Sequence, residues 1–352
     1  MATEVVKIVD PGEGAGHDYH SLSLWEAGEN ANLVTGDLIA VAKCRSTGGV
    51  ADTTQLVIDG WTTDATRYIK IWTDPAEEFR HNGTYQTTKY RLELATSALS
   101  YKMVEIYNEE TQIYGLQFSI DDTAVSGGDC CVIYPRVYSG EQSFFLSESI
   151  LKRADTGTSA VHGIQHNQGN GIVTVRNCIA YDFGPTGTWS RTFALENAGT
   201  FNAYNCTIQN SKRGFYQTNG TFVVKNCIAQ DCGDGFEGTF DNASDYNSSD
   251  IADDAPGANS QTGSVVFVNE AGDDFHLDST DTVAINNGVD LNAVFTVDID
   301  NVTRPTGAGT WDIGADEYVA AGGLSWSGAG TLTQSGVINR QFAITRGQSG
   351  AI

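Results

Sequence analysis

Three stretches of the chain read alike: Val175-Arg176-Asn177-Cys178-Ile179-Ala180, Ala203-Tyr204-Asn205-Cys206-Thr207-Ile208 and Val224-Lys225-Asn226-Cys227-Ile228-Ala229. The Asn-Cys pair recurs at steps of 28 and 21 residues. A repeat of this period in strand-forming residues marks a stacked coil, in which each repeat buries its apolar face on the next. Matched residues of successive rungs then stand about 4.8 Å apart. At that spacing Asn can bond to the Asn above and below, and Cys fills the core as a small apolar group. The expected fold is all-β, a parallel β-helix.

The remaining chain fits this frame. Strand-like runs over 37–42, 55–58, 68–72, 90–94, 103–107, 115–120, 131–134 and 143–146 are separated by Gly, Asn, Asp, Ser and Thr, as short strands joined by turns require. Near the start, Leu22 and Trp25 share a face of a short amphipathic helix, with Ser21 as N-cap and Gly28 as stop, and this helix suits a cap over the open end. Residues 241–262 turn polar. The chain is read as an N-terminal cap over 1–33, rungs over 34–240, a C-terminal end and cap over 241–318, and a tail over 319–352 suited to docking or oligomerisation.

Charge narrows the partners. With 20 Lys+Arg against 44 Asp+Glu the net charge is −24, which argues against nucleic acid, an anionic membrane surface and unaided capture of a polyanionic sugar. It suits calcium, or simply a solvated acidic surface. Three of the seven Cys lie in the repeat as inward thiols, while adjacent Cys130 and Cys131 should point to opposite faces and not both be core. There is no Cys-x-x-Cys pair to suggest zinc. Residues 1–7 lack a basic start and an apolar core, so synthesis in a cytoplasm without a leader is expected, and no apolar run approaches membrane-spanning length.

Candidate chemistry follows from stacking. Arg176, Tyr204 and Lys225 each precede an Asn-Cys pair and should form one file, whose cations could neutralise a uronate. Asp182, Asn210 and Asp231 lie five places after each Asn. The two carboxylates would be two rungs or about 9–10 Å apart, the wide limit for an inverting glycosidase pair. Polar residues on outward positions and at turns are the plainer reading of both files. His162 and His166 share a strand face but have no third metal ligand nearby. Asp241, Asp245 and Asp250, with Asp253 and Asp254, offer oxygen ligands for calcium without EF-hand spacing, and a solvated turn explains them too. No other cofactor is expected. The Gly12-x-Gly14-x-Gly16 run follows no proper strand and reads as a flexible turn. Seven extra residues between the first two repeats fall near 184–191, as a loop on the face where solenoids commonly bind, and carry Trp189 and Arg191.

The run from Asp245-Tyr246-Asn247 to Asp316-Glu317-Tyr318 resembles the C-terminal end of the pectate-lyase-like right-handed parallel β-helix superfamily, closest to phage and metagenomic members that end in a DIGAxEY-type motif. Here the motif is Asp312 to Tyr318, with Asp316 where the family often has an aromatic. Residues 20–25 and 61–71 look like the same members, so the likeness covers roughly residues 30–318. It implies a right-handed coil. The group mixes lyases, hydrolases, adhesins and virion proteins, and the polygalacturonase pattern of clustered Asp with Gly-His-Gly and Arg-x-Lys is absent here.

The expectation is a non-catalytic structural and binding protein of a phage particle, a fibre, spike or capsid decoration. Its partners would be other virion proteins, glycans met through Trp189, Arg191 and Tyr204, and two further copies in a homotrimer. The alternatives are a polysaccharide lyase or glycoside hydrolase using Arg176, Lys225, Asp182 and Asp231, and a bacterial surface adhesin, secreted or held at the cell surface.

Overall fold

The repeat folds as its spacing requires. Ile172–Arg176, Ile179–Tyr181 and Phe193–Leu195 form one rung of three strands; Thr200–Tyr204, Thr207–Gln209 and Arg213–Gln217 form the next; Thr221–Lys225, Ile228–Gln230 and Asp234–Glu237 the one after. Each strand pairs in parallel with its counterpart, giving three parallel sheets of eight, eight and seven strands. This is a parallel β-helix. The computed structural model describes residues 2–107, 109–122, 128–138, 142–154, 159–184, 189–307, 311–320, 325–327 and 331–333.

The corners explain the Asn. From Thr111 onward the chain turns between the first and second sheets through one residue at positive φ per rung: Gly115, Glu148, Asn177, Asn205, Asn226 and Tyr246. Between the second and third sheets Asp182, Asn210 and Asp231 do the same. Gly, Asn and Asp tolerate this left-handed backbone best. The recurring Asn is therefore a corner residue first. The Cys that follows points inward, and Cys178, Cys206 and Cys227 form a fully buried column. Burial pushes the Cys178 and Cys227 thiols up, away from the reactive thiolate. Two Phe columns run beside it: Phe193, Phe215 and Phe236 on the third sheet, Phe201 and Phe222 on the first. Their rings stack at 4.6–6.0 Å between centroids, and such burial is the main driving force of the coil.

Five expectations need correction. Thr3–Val9 is a strand that opens the first sheet, so residues 1–33 are more than a cap; its β-branched run pairs in register with Leu38–Cys44. The helix follows it as Leu22–Glu29, capped by Ser21 and ending at Asn30 instead of Gly28, with Leu22 and Trp25 buried in the core. Cys130 and Cys131 are both fully buried. They do face opposite ways, but the outer face is itself covered there, and the Cys131 thiol donates to the Ile133 carbonyl at 3.0 Å. His162 and His166 do not share a face: Val161 and Ile164 are both in the core, so the strand's alternation breaks between them. The Gly12–Gly16 turn is fixed, because Asp10 accepts from the amides of Gly12 and Gly14 and from the Thr47 amide and hydroxyl.

The C-terminal segment lies along the helix. Ser248–Ser249 and Gln261–Thr262 add two short rungs to the second sheet. Residues 265–317 then run back over the Asn corner. The Asn177 amide donates to the Val297 carbonyl at 2.7 Å, Asn205 to Asp312 and Gly314 at 3.0 Å each, and Asn226 to Val289 at 2.8 Å. Only Asn226 also donates to its neighbour Asn205, so the expected Asn–Asn ladder is mostly replaced by bonds to this cover. Arg304, fully buried, ties it down with bonds to Glu317, Asn177 and the carbonyls of Gly314 and Ala315. Gly314 sits at φ +101° against Ile228, where a Cβ would meet the side chain at 2.5 Å. The Asp312-to-Glu317 motif is thus a latch onto the corner column. Residues 318–352 cluster apart as a second unit, within which Ser325–Ser327 and Thr331–Thr333 form an antiparallel pair. Val337, Ile338, Phe342, Ile344 and Ile352 of the tail lie outside the described residues.

Asn205→Ala removes three side-chain hydrogen bonds and places Ala in left-handed backbone. Urea unfolding should show a loss of about 2–4 kcal/mol. Asn205→Gly should recover about 1 kcal/mol of it, because glycine restores the backbone freedom. Equal losses in the two variants would contradict the corner role.

Candidate functional site

Arg176, Tyr204 and Lys225 do form one file in the first sheet. Arg176, however, is occupied. Its guanidinium stacks on Phe145 and Phe295, donates to Ser147 at 3.0 Å, and holds the Val294 carbonyl at 3.0 Å. It pins the cover segment, which leaves its donors engaged with protein.

Asp182, Asn210 and Asp231 also stack in order, joined by backbone bonds from Asp182 to Gln209 and from Asn210 to Gln230. The Asp182 carboxylate accepts from the Asn210 amide at 2.6 Å, and Asp231 accepts from Gln209 at 3.0 Å. Burial raises both carboxyls, and repulsion from Glu270 adds to the effect at Asp231. Asn210 stands between them, so the file is a turn column. The calcium candidates take separate partners: Asp241 the Ala243 amide, Asp245 the amides of Tyr246 and Asn259, Asp250 the Asp231 amide. His162 binds Asp129 at 2.6 Å, and His166 faces the carbonyls of Pro135 and Gly171.

The third sheet carries a different arrangement on its outer flank. Trp189 is 69% exposed. Arg213 lies over its ring at 5.2 Å, Tyr216 stands beside both, and Arg191 lies over the Tyr216 ring at 4.5 Å. Arg191 pairs with Glu196 and Arg213 with Glu237, so the patch is nearly neutral in a strongly acidic protein. The pattern continues along the flank, where Arg136 lies over Tyr107 and Tyr134, and Lys102 over Tyr134. Trp189 and Arg191 each neighbour the Arg213–Tyr216 pair, whereas Tyr204 stands in the first sheet. Arg213, Tyr216, Arg136 and Tyr134 were not legible as members. Their strands do not alternate cleanly: Asp129–Arg136 is buried at nearly every position, and Arg213–Gln217 holds two adjacent buried residues. Residues 185–188 of the inserted loop lie outside the described residues.

Among the described residues one group has metal-ligating geometry: His276, Asp300 and Asp316, whose ligand atoms lie within 4.8 Å of one another. Its His276 ring is held between Asp274 and Asp300. Burial alone would lower the imidazole's affinity for its proton, but these two bonds raise its pKa to about 11. Asp316 accepts from the Leu277 amide at 2.8 Å. The one sequence signal was Asp316 in place of an aromatic.

No family model matches the chain, nor does any curated protein or any solved structure. The likeness to pectate-lyase-like proteins therefore stands on the sequence alone. No helix among the described residues is long and apolar enough to cross a membrane.

A buried acid lies away from these groups. Glu109 is buried with Oε2 unpartnered, and burial, with Asp59 repelling, raises its carboxyl from 4.5 to about 8. The folded state binds this proton more tightly than the unfolded chain. Its stabilisation is therefore full below about pH 4.5 and is lost as pH rises toward 8. Thermal midpoints between pH 5 and 9 should fall more steeply in the native chain than in Glu109→Gln. Parallel slopes would contradict this.

Proposed function

We propose that the chain is a structural and binding β-helix on the outside of a virus particle, of the fibre, spike or capsid-decorating kind, which docks neutral saccharide on its third-sheet flank. The observation that carries this reading is the exposed Trp189 ring with Arg213 across it and Tyr216 and Arg191 alongside. An aromatic face takes the C–H face of a pyranose, and a planar guanidinium fixed beside it donates to hydroxyls in the ring plane. Because both arginines are already neutralised, the patch favours uncharged sugar, and the net charge of −24 repels polyanions at longer range. Placement on a virion rests on the sequence resemblance. The hydrolase or lyase reading draws less support, because Arg176 and Asp182 are engaged by protein partners.

Binding to a panel of neutral and acidic glycans, measured by calorimetry, tests the flank. Trp189→Ala should weaken neutral-glycan binding at least tenfold, about 1.4 kcal/mol or more, while Tyr204→Ala on the first sheet leaves it unchanged. Neutral-glycan affinity untouched by Trp189→Ala, or release of reducing ends from any panel member, would overturn the reading. Mass spectrometry of purified particles tests the location: the chain should be present in virions, and absence from all virions of its source would contradict it.

A further inference from the structure

We propose that His276, Asp300 and Asp316 form a binding site for one divalent transition-metal ion of the zinc class, which fastens the C-terminal cover. The three residues come from separate stretches. His276 lies in Asp274–Leu277, Asp300 in the turn that follows Ile299, and Asp316 in the latch. Their donor atoms, one imidazole nitrogen and two carboxylate oxygens, already lie within 4.8 Å of one another. Zinc with such ligands takes bonds of about 2.0–2.2 Å, which puts neighbouring donors about 3.3 Å apart. Small rotations of the two carboxylates close the difference.

Two further features point to a cation site. The first is an orphaned atom: Oδ1 of Asp300 is buried and accepts no hydrogen bond, although Oδ2 meets Nε2 of His276 at 2.9 Å. A carboxylate oxygen shielded from water and without a donor is destabilising, and a cation at this place would satisfy it. The second is a cradle. Gly83, at φ +79°, passes over this pair, and a Cβ there would collide with Nε2 of His276 and lie 2.5 Å from Oδ1 of Asp300. Glycine keeps clear the space that both donor atoms face.

Local charge agrees. Asp274, Asp300 and Asp316 gather about one imidazole, with Asp298 near Asp316. Of the nearby cations, Arg304 is engaged by Glu317, Asn177 and two carbonyls, and Arg80, whose field reaches Asp300, pairs with Glu148. A divalent ion in place of the proton between His276 and Asp300 would offset the surplus. The mixed nitrogen and oxygen donors favour zinc, manganese or iron(II) over calcium, which prefers oxygen alone. The ion would tie strand, turn and latch together, and so stabilise the chain in proportion to its occupancy.

Titration of zinc chloride into the full chain by calorimetry should give one saturable site per chain. Affinity should fall at least tenfold in Asp300→Asn and in Asp316→Asn. The second variant keeps an acceptor for the Leu277 amide, which protects the fold. Binding should be unchanged in His20→Ala, which disrupts the exposed His17–His20 pair that offers zinc an adventitious site. No saturable site in the native chain, or full affinity in both Asn variants, overturns the proposal. Crystals soaked in zinc decide independently of any variant. An anomalous peak about 2.0–2.1 Å from Nε2 of His276 supports the site, and a peak only elsewhere overturns it.

Discussion

The stacked rungs from Thr111 onward depend on the chain turning at the same place in each. One left-handed residue per rung, from Gly115 through Glu148, Asn177, Asn205 and Asn226 to Tyr246, sets the corner between the first and second sheets. Because the corners coincide, strands fall into parallel register, and like residues stack: cysteine on cysteine, phenylalanine on phenylalanine. No single rung could bury its apolar face alone, so register and core form together.

The same corner organises the exterior. Asn side chains that point out of the coil need partners, and the segment after Val265 supplies them with its carbonyls. That covers one edge of the helix and engages Arg176. The third-sheet flank remains outside this cover, and there cations are layered with exposed aromatic rings. The cover and the layered cations thus lie on different sides of the coil. Where the cover crosses the loop at Gly83, three donor atoms from distant stretches converge beside an unpaired carboxylate oxygen.

The coil was legible because its repeat is chemical: Asn for the corner, Cys for the core, at steps of 28 and 21 residues. The two residue files were legible for the same reason, since register turns sequence offset into position. Their roles were not, because partners such as Val294 for Arg176 lie 118 residues away in sequence. The strand at Thr3–Val9 was hidden because all but its last residue is at least partly exposed. The flank containing Tyr134, Arg136, Arg213 and Tyr216 was hidden because burial along those strands does not alternate, so sequence position does not report the face. His276 and Asp300 gave no signal at all, since nothing in a sequence tells which turns of an irregular cover will meet.

Register is the claim to test first, and cysteine pairs measure it directly. Asn202 and Val223 are strand partners on successive rungs. Neighbours in register lie about 4.8 Å apart, within the range of about 4.4–6.8 Å that a disulfide spans. Asn202→Cys with Val223→Cys should therefore cross-link on mild oxidation. Asn202→Cys with Lys225→Cys, two residues out of step, should not. Cross-linking of the offset pair and none in the matched pair would contradict the stacked coil.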